Sequence, residues 1–294
     1  MGGTTFVSRN VAEFFRDVGD EVYVLNRGSR PQVSGVRHIK CDRHCIGEKL
    51  KGISFDAVLD VTAYREEDVK DLLSSLGCFE TYILVSSSAV YPETEKRPFS
   101  EKAPVGRNSV WGDYGVNKIA AEKYLRENCE NHYILRPPYL YGEWENLYRE
   151  PFVFDCAFEE RPFALPKSDM RLQFFYVKDL CRFMDILLRV KPREKVFNVG
   201  NPEAVSIKKW ATLCYEACGK KPSFTEAESC HLIIDYFCFN DYDYMLSVEL
   251  MLRYMPKITP LYEGLANSAM WYKDNRDIPM KKPYLDYIDR KILK

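Results

Sequence analysis

The sequence predicts an α/β protein with a parallel, doubly wound sheet, and three observations carry the prediction. Short β-branched runs alternate with helical stretches through the first half of the chain. The helical stretches repeat apolar residues every three or four positions, as a face packed on a sheet requires. Glycines punctuate the transitions, with Gly19 and Gly77 near helix ends. In order, "SRNVAEFFRDVG" reads as a helix, "EVYVLNR", "VRHIKC" and "FDAVLDVTAY" as strands, "REEDVKDLLSSLG" as a helix, and "TYILVSSSAVY" as a strand. "YGVNKIAAEKYLRENC" is a further helix and "NHYILRPPYLYG" a further strand. Beyond Gly142 the alternation lapses, and residues 143–172 are rich in proline, aromatics and charge without a clear period. "RLQFFYVKDLCRFMDILLRV" then reads as strand and helix, "KVFNVGN" as a strand and "SIKKWATLCYEACGKKP" as a helix. The expected plan is a large domain from residues 1–142 and 173–200, with a smaller C-terminal lobe from 143–172 and 201–294.

Composition narrows the function classes. The 294 residues are 46% hydrophobic and 29% charged with a net charge of −1, so no global field draws the protein to nucleic acid or a membrane. The segment from Lys281 to Lys294 is mildly basic, but Asp286 and Asp289 interrupt it, and it reads as a solvated end. The ten cysteines include no CxxC pair and none lies at zinc spacing to a histidine, so no metal site is expected. Cys41/Cys45 and Cys214/Cys218 are the closest pairs, and the second falls on a helix where thiols act as small apolar groups. His38, His44, His132 and His231 are dispersed and fit no nucleophile or metal pattern. With no signal peptide and no apolar run long enough to span a bilayer, a reducing cytoplasm is the simplest setting.

Three stretches carry chemistry. In "MGGTTFVS", Gly2 and Gly3 permit a tight turn that brings backbone N–H groups to a pyrophosphate at a helix N-terminus. At the end of "VYVLNRGSRP", where a carboxylate usually holds the adenosine ribose, the chain has Asn26 and Arg27. Nothing there repels a 2′-phosphate and Arg27 can pair with one, which leans toward NADP over NAD. Asp42 and Arg43 follow the next strand, where they either contact adenine or form a solvated turn. The third stretch is "VSSSAVY" followed by "DYGVNKIAAEKYL". Tyr114 and Lys118, four apart on one helix, share a face. An ammonium beside a phenol favours the phenolate, which makes Tyr114 a general acid/base for a carbonyl–alcohol couple. A serine at the preceding strand end is placed to donate a hydrogen bond to the same substrate oxygen.

Together with "LRPPYLYG", "QFFYVKDL", "FNVGN" and "EGLANSAMWY", these stretches resemble the extended short-chain dehydrogenase/reductase family, the NAD(P)-dependent sugar epimerase/dehydratase group with a Rossmann-like domain. The resemblance covers nearly the whole chain. It is strongest to a divergent branch reading "GGTxFxG…VLNRG…GDR", which includes epimerases and the chloroplast stem-loop RNA-binding proteins. The resemblance implies that Ser87, Tyr114 and Lys118 are catalytic, with Lys118 also holding the nicotinamide ribose. It further implies cofactor contacts from Gly2, Gly3, Thr4, Thr5, Phe6 and Val7, from Val61, Thr62 and Ala63, and from Arg136 and Pro137 opening the loop beside the nicotinamide. The implied partner is a small molecule, a sugar or nucleotide-sugar. A membrane partner is not expected, nucleic acid is disfavoured, and a homodimer is left open.

Departures from the family pattern shape the reading. Against GGTGFxG the chain substitutes Thr5 and Ser8 for glycines, which puts a side chain near the expected phosphates. The Asp-Glu pair that follows the catalytic residue of dehydratases is replaced by Ser88-Ala89, which argues against dehydration. Where many relatives place an arginine gripping the substrate diphosphate, the chain has Leu172, with Arg171 one position earlier on the opposite face of a strand. An epimerase or a reductase is therefore expected, and a non-catalytic NAD(P)- or RNA-binding protein on the same fold is the alternative. Finally, a central strand of about 5–6 residues should precede the Gly-rich turn. Gly2 already lies in that turn, so the first strand is expected to be missing from this sequence, either because the start is recorded several residues late or because another segment or a partner chain occupies the slot.

Overall fold

α1 (Phe6–Asp17) opens the structure and is followed by β1 (Tyr23–Asn26), β2 (Arg37–Lys40), β3 (Phe55–Asp60), α2 (Glu66–Ser75), β4 (Phe79–Val85), α3 (Asp113–Asn128) and β5 (His132–Arg136). The computed structural model describes residues 1–243 and 245–293. α1 turns Phe6, Val11, Ala12 and Phe15 inward, the spacing that marked it as a helix. Each of these strands pairs in parallel with its sheet neighbours; α2 and α3 make the crossovers from β3 to β4 and from β4 to β5, whereas β1 reaches β2 through a loop without a helix. The result is the Rossmann-like α/β fold anticipated from the alternation.

The second half supplies β6 (Tyr139–Tyr141), α4 (Glu150–Phe158), β7 (Phe163–Leu165), β8 (Arg171–Leu172), β9 (Phe174–Tyr176), α5 (Val177–Val190), β10 (Val196–Asn198), β11 (Val205–Ser206), α6 (Ile207–Ala217) and β12 (Phe224–Glu226). Short helices α7 (Ile233–Tyr236) and α8 (Glu249–Tyr254) precede the longer α9 (Leu261–Lys273). The chain returns to the large sheet through β10, which pairs with β5 and completes the order β10-β5-β4-β3. Two small pairings, β7 with β12 and β8 with β11, tie the stretch before β9 to the stretch after β10.

Four differences from the expected elements have physical causes. "NHYILRPPYLYG" is two strands, because Pro137 and Pro138 lack the N–H that a ladder needs, and β6 pairs with β9 instead of continuing β5. Residues 143–172 hold α4, whose residues 150–157 are all buried, so no polar face gave it a period. The C-terminal segment is anchored: Tyr284 and Ile288 are buried, and Lys281 Nζ lies 2.8 Å from Asp155. Lys294 falls outside the described residues.

The fourth difference is in the sheet itself. β1 and β2 form their own two-stranded sheet, separate from the four-stranded one. Between the facing edges of β1 and β3 lies a groove of about 580 Å³. Among the described residues no helix is long and apolar enough to cross a membrane.

Candidate active site

A second cavity, of about 500 Å³, opens over the C-terminal ends of β3, β4 and β5, where doubly wound sheets place their ligands. One wall is the Gly-rich turn and the start of α1, from Gly2 and Thr4 to Ser8. Gly2 and Gly3 have φ of +93° and +102°, the left-handed region that favours glycine. A Cβ on Gly2 would lie 2.7 Å from Ser8 Cβ, and one on Gly3 would lie 2.6 Å from Val24 Cγ1. The turn is thus wedged between the first helix and β1. Thr5 stands at the N-cap of α1 without a side-chain capping bond, so donors of the first turn are open toward the cavity.

The opposite wall carries the reactive side chains. Ser87 caps a short turn at the end of β4, where its Oγ accepts from Ala89 N–H at 3.1 Å. Tyr114 sits in the first turn of α3 and is 38% exposed, enough for a ligand to reach its hydroxyl. Burial of the phenol raises its pKa above the ordinary 10, while a hydrogen bond from Ser87 pulls the other way. Lys118, one turn further on, is buried, and its ammonium donates to the carbonyls of Ala63 at 2.6 Å and Val85 at 3.0 Å. Nζ lies 4.9 Å from the Tyr64 ring centre and 5.9 Å from that of Tyr114. Burial brings its pKa down to about 8. The simple expectation of an ammonium holding Tyr114 as phenolate does not match the resting site, where the phenol is held protonated by desolvation.

Ser87, Tyr114 and Lys118 line this one cavity, together with Thr4, Thr5, Phe6, Val7, Val61, Thr62 and Pro137. Gly3 and Ala63 lie just behind the lining, Gly3 against Val24 and Ala63 offering its carbonyl to Lys118. Asn26 knits the turn together, its amide donating to Gly2 O and to Gln32 Oε1 at 2.8 Å each, and Arg27 beside it is exposed. Asp42 caps the turn after β2 by accepting from His44 N–H at 2.9 Å.

Two arginines are committed elsewhere. Arg43 turns inward to Asp60 at 2.8 Å and Thr62 Oγ1 at 3.1 Å, so its guanidinium braces the end of β3 and does not reach outward to a ligand. Arg136 is buried against Glu122 at 2.6 Å and donates to Tyr91 Oη at 2.8 Å, below the cavity floor and outside its lining. Ser86 Oγ joins the same bed, donating to Glu122 at 2.6 Å. The sequence pattern located Arg136 correctly at a strand end but not its direction. Arg171, as its position on the strand implied, points away from buried Leu172, and its guanidinium bonds the carbonyl of Ala204.

Trp111, Tyr139, Asn146, Leu147 and Arg149 also line the cavity and were not anticipated. Only Trp111, three residues before Tyr114, carried a usable signal, since it falls one turn before a candidate reactive group. Arg149 pairs with Glu145 at 3.3 Å, and the neighbouring Glu150 carboxyl is pushed up to about 8 by burial and then by Glu145.

Residues 57–200 match the model of the NAD dependent epimerase/dehydratase family. Over 91% of its length, and 77% of the relative's, it is 28% identical to the chloroplast stem-loop binding protein of 41 kDa b from Arabidopsis thaliana. The fold is shared with the UDP-N-acetylglucosamine 4-epimerase from Bacillus cereus, with a TM-score of 0.74, 19% identity and coverage of 91% of this chain and 96% of that one. It is shared equally with the Bordetella bronchiseptica enzyme WbmH in complex with NAD+, with a TM-score of 0.73, 16% identity and coverage of 93% and 96%. At these identities the structural likeness to epimerases of the family is one of fold.

Proposed function

We propose that the chain is an NAD(P)-dependent epimerase or reductase acting on an alcohol or carbonyl carbon of a sugar-type substrate, nucleotide-sugars included. The observation that carries this reading is the meeting of Ser87, Tyr114 and Lys118 in one cavity that also receives the N-terminus of α1. The residues present fit the cofactor: a turn in which a Cβ on Gly2 has no room, followed by a helix whose first-turn donors are open to an anion. Thr4, Thr5, Phe6 and Val7 would hold the pyrophosphate, Val61 and Thr62 would flank the dinucleotide, and Lys118 would hold the nicotinamide ribose. When bound, the cofactor supplies the hydride acceptor and donor.

The chain's own part is proton chemistry and positioning. Tyr114 Oη exchanges the proton of the substrate hydroxyl, and Ser87 Oγ–H donates to the same oxygen as charge develops on it. A protonated Tyr114 suits the reducing direction, in which a proton must be delivered to the oxygen. Trp111 and Tyr139 provide apolar faces for a sugar ring. An epimerase turns its intermediate within the cavity, whereas a reductase releases product after one transfer, and retention of the cofactor separates the two. Titration of the chain with NAD and NADP by fluorescence tests the reading, and failure to bind either removes it. Arg27→Ala should weaken NADP more than NAD, while equal losses would make Arg27 only a loop residue.

One observation favours a second reading. The curated relative at 28% identity is named as a stem-loop binding protein, which makes a binding role on this fold concrete. The net charge of −1 weighs against it, because affinity for nucleic acid rests on phosphate neutralisation by a basic surface. Binding of a structured RNA that persists at 0.2 M salt, without cofactor binding, would favour that reading.

A further inference from the structure

The loop 142–149 brings Asn146, Leu147 and Arg149 into the active-site cavity, and its backbone is strained. Trp144 and Tyr148 have φ of +64° and +55°, the left-handed region that side chains seldom tolerate, and Gly142 stands at +137°. Such conformations persist only where surrounding contacts impose them. Some of those contacts come from the second half of the chain. A Cβ on Gly142 would lie 2.6 Å from Val177 Cγ1, Met280 N–H donates to Asn146 O at 3.1 Å, and Tyr176 Oη donates to the Glu143 carboxylate at 2.8 Å.

The other contacts come from α1, the helix that forms one wall of the cavity. Asn10 is buried, and its side-chain amide directs both N–H groups to carbonyls, Phe6 O at 3.0 Å and Glu143 O at 2.8 Å. The first carbonyl belongs to the opening residue of α1, beside the proposed pyrophosphate position, and the second to the strained loop. Neither aspartate nor leucine could make both bonds. Arg9 adds a second link, its guanidinium centre lying 3.6 Å from the centre of the Trp144 ring while Nε is held by Glu13 at 2.8 Å. The cavity lining includes neither Asn10 nor Arg9, so both act through other residues.

At the other end of the loop, Arg149 reaches the substrate side. Its guanidinium centre lies 5.6 Å from the centre of the Tyr139 ring, and its charge is near enough to Tyr114 to favour the phenolate. Between the two ends the loop closes on itself. Glu145 N–H donates to Gly142 O at 3.2 Å, and the Glu145 carboxylate accepts from Leu147 N–H at 2.8 Å and Arg149 N–H at 3.4 Å. A hold on Glu143 and Trp144 therefore fixes Leu147 and Arg149 as well.

We propose that Asn10, backed by Arg9, is a positioning residue that ties the substrate side of the cavity to the cofactor site. An anion seated on the first turn of α1 restrains Phe6, and the Asn10 amide passes that restraint to Glu143 O and so to Leu147 and Arg149. This coupling rests on the cofactor reading given above and extends it, because the order of the loop then depends on whether cofactor is present. Coupling is reciprocal, so a loop held in place also favours the cofactor.

The test is amide hydrogen exchange of the full chain and of Asn10→Leu, with and without saturating NAD or NADP, whichever binds. The amides of Glu145, Leu147 and Arg149 exchange when the closed loop opens. In the wild-type chain, cofactor should slow them by about tenfold or more, alongside amides at the start of α1. In Asn10→Leu the cofactor should still bind and still protect α1, while the slowing at the loop falls below about twofold. A purely structural asparagine would raise loop exchange equally with and without cofactor and leave that slowing intact, which would overturn the inference. So would a wild-type loop whose exchange is unchanged when cofactor protects α1. Failure of the wild-type chain to bind either cofactor is a different result, removing the functional reading and the inference with it. Should Asn10→Leu not fold, Arg9→Met decides, since it keeps the amide and removes the stack on Trp144. It should reduce the cofactor-dependent slowing at the loop by about threefold, and an unchanged slowing would overturn the inference.

Discussion

The active-site cavity and the sheet groove share a wall, since Gly2 and Ser8 line both, yet the two spaces are lined by different groups. The cavity presents hydroxyls, an ammonium and aromatic faces that water can solvate until a ligand replaces it. The groove presents leucine, valine and alanine side chains along its length, with Asp20, Glu21, Asp56, Asp185 and Arg189 also in its lining. Beneath the cavity the sheet is locked by a buried polar bed running from Ser86 through Glu122 and Arg136 to Tyr91 and Asn198. On the other side of the shared turn a smaller set, Arg43, Asp60 and Tyr82, braces the end of β3.

That contrast can be broken or sharpened by mutation. The largest effect is expected at the cavity: Tyr114→Phe should lower turnover of any substrate found by about 10²–10⁴-fold while leaving NAD(P) affinity nearly unchanged, measured by steady-state kinetics and titration. A loss of binding together with turnover would make Tyr114 part of the wall only. Next is the polar bed. Arg136→Met should destabilise the chain by roughly 3–5 kcal/mol in denaturant unfolding, because it strands the Glu122 carboxylate, and adding Glu122→Leu should recover much of the loss. Failure of the double variant to recover would show that the bed is needed as a network.

At the shared turn, Gly3→Ala is expected to cost about 1–3 kcal/mol, since its Cβ would meet Val24 at 2.6 Å from a left-handed backbone. The loss should appear as weaker cofactor binding as well as a lower melting midpoint. The smallest effect concerns pH. Lys118 has a folded pKa of about 8, below its ordinary 10.5, so the folded chain releases a proton that the unfolded chain keeps between those values. Stability from this group is therefore lowest below pH 8 and rises toward pH 10.5. Lys118→Met removes that slope. The stability of the wild-type chain relative to this variant should accordingly increase by about 2 kcal/mol from pH 8 to 10.5, and the carbonyl hydrogen bonds lost with the amine add an offset that does not vary with pH.

What was legible in the sequence divides along the same lines. Elements with one face in water were readable, as in α5 and in α6 with Ser206 at its N-cap, because their exposed side leaves a period. α4 was not, since burial on every side erases that period. The reactive set was readable from the spacing of Tyr114 and Lys118 and the serine run of β4. Arg43 and Arg136 were misdirected, because a sequence gives the position of a guanidinium at a strand end but not the buried carboxylate that claims it. Arg149 and Tyr139 arrive in the cavity from separate parts of the chain, and no local pattern announces such convergence.

The pairing of β7 with β12 has a consequence for synthesis. The two strands are 163–165 and 224–226, so β7 leaves the ribosome well before its partner exists. At ~5–20 residues per second the wait is roughly 3–12 s. During that interval β3, β4 and β5 can already pair with one another and β10 joins β5 part-way through, while the aromatic stretch around Phe163 still waits for β12. The nascent chain is thus most vulnerable to wrong association in its middle, after its sheet has begun to form and before β12 arrives to pair with β7.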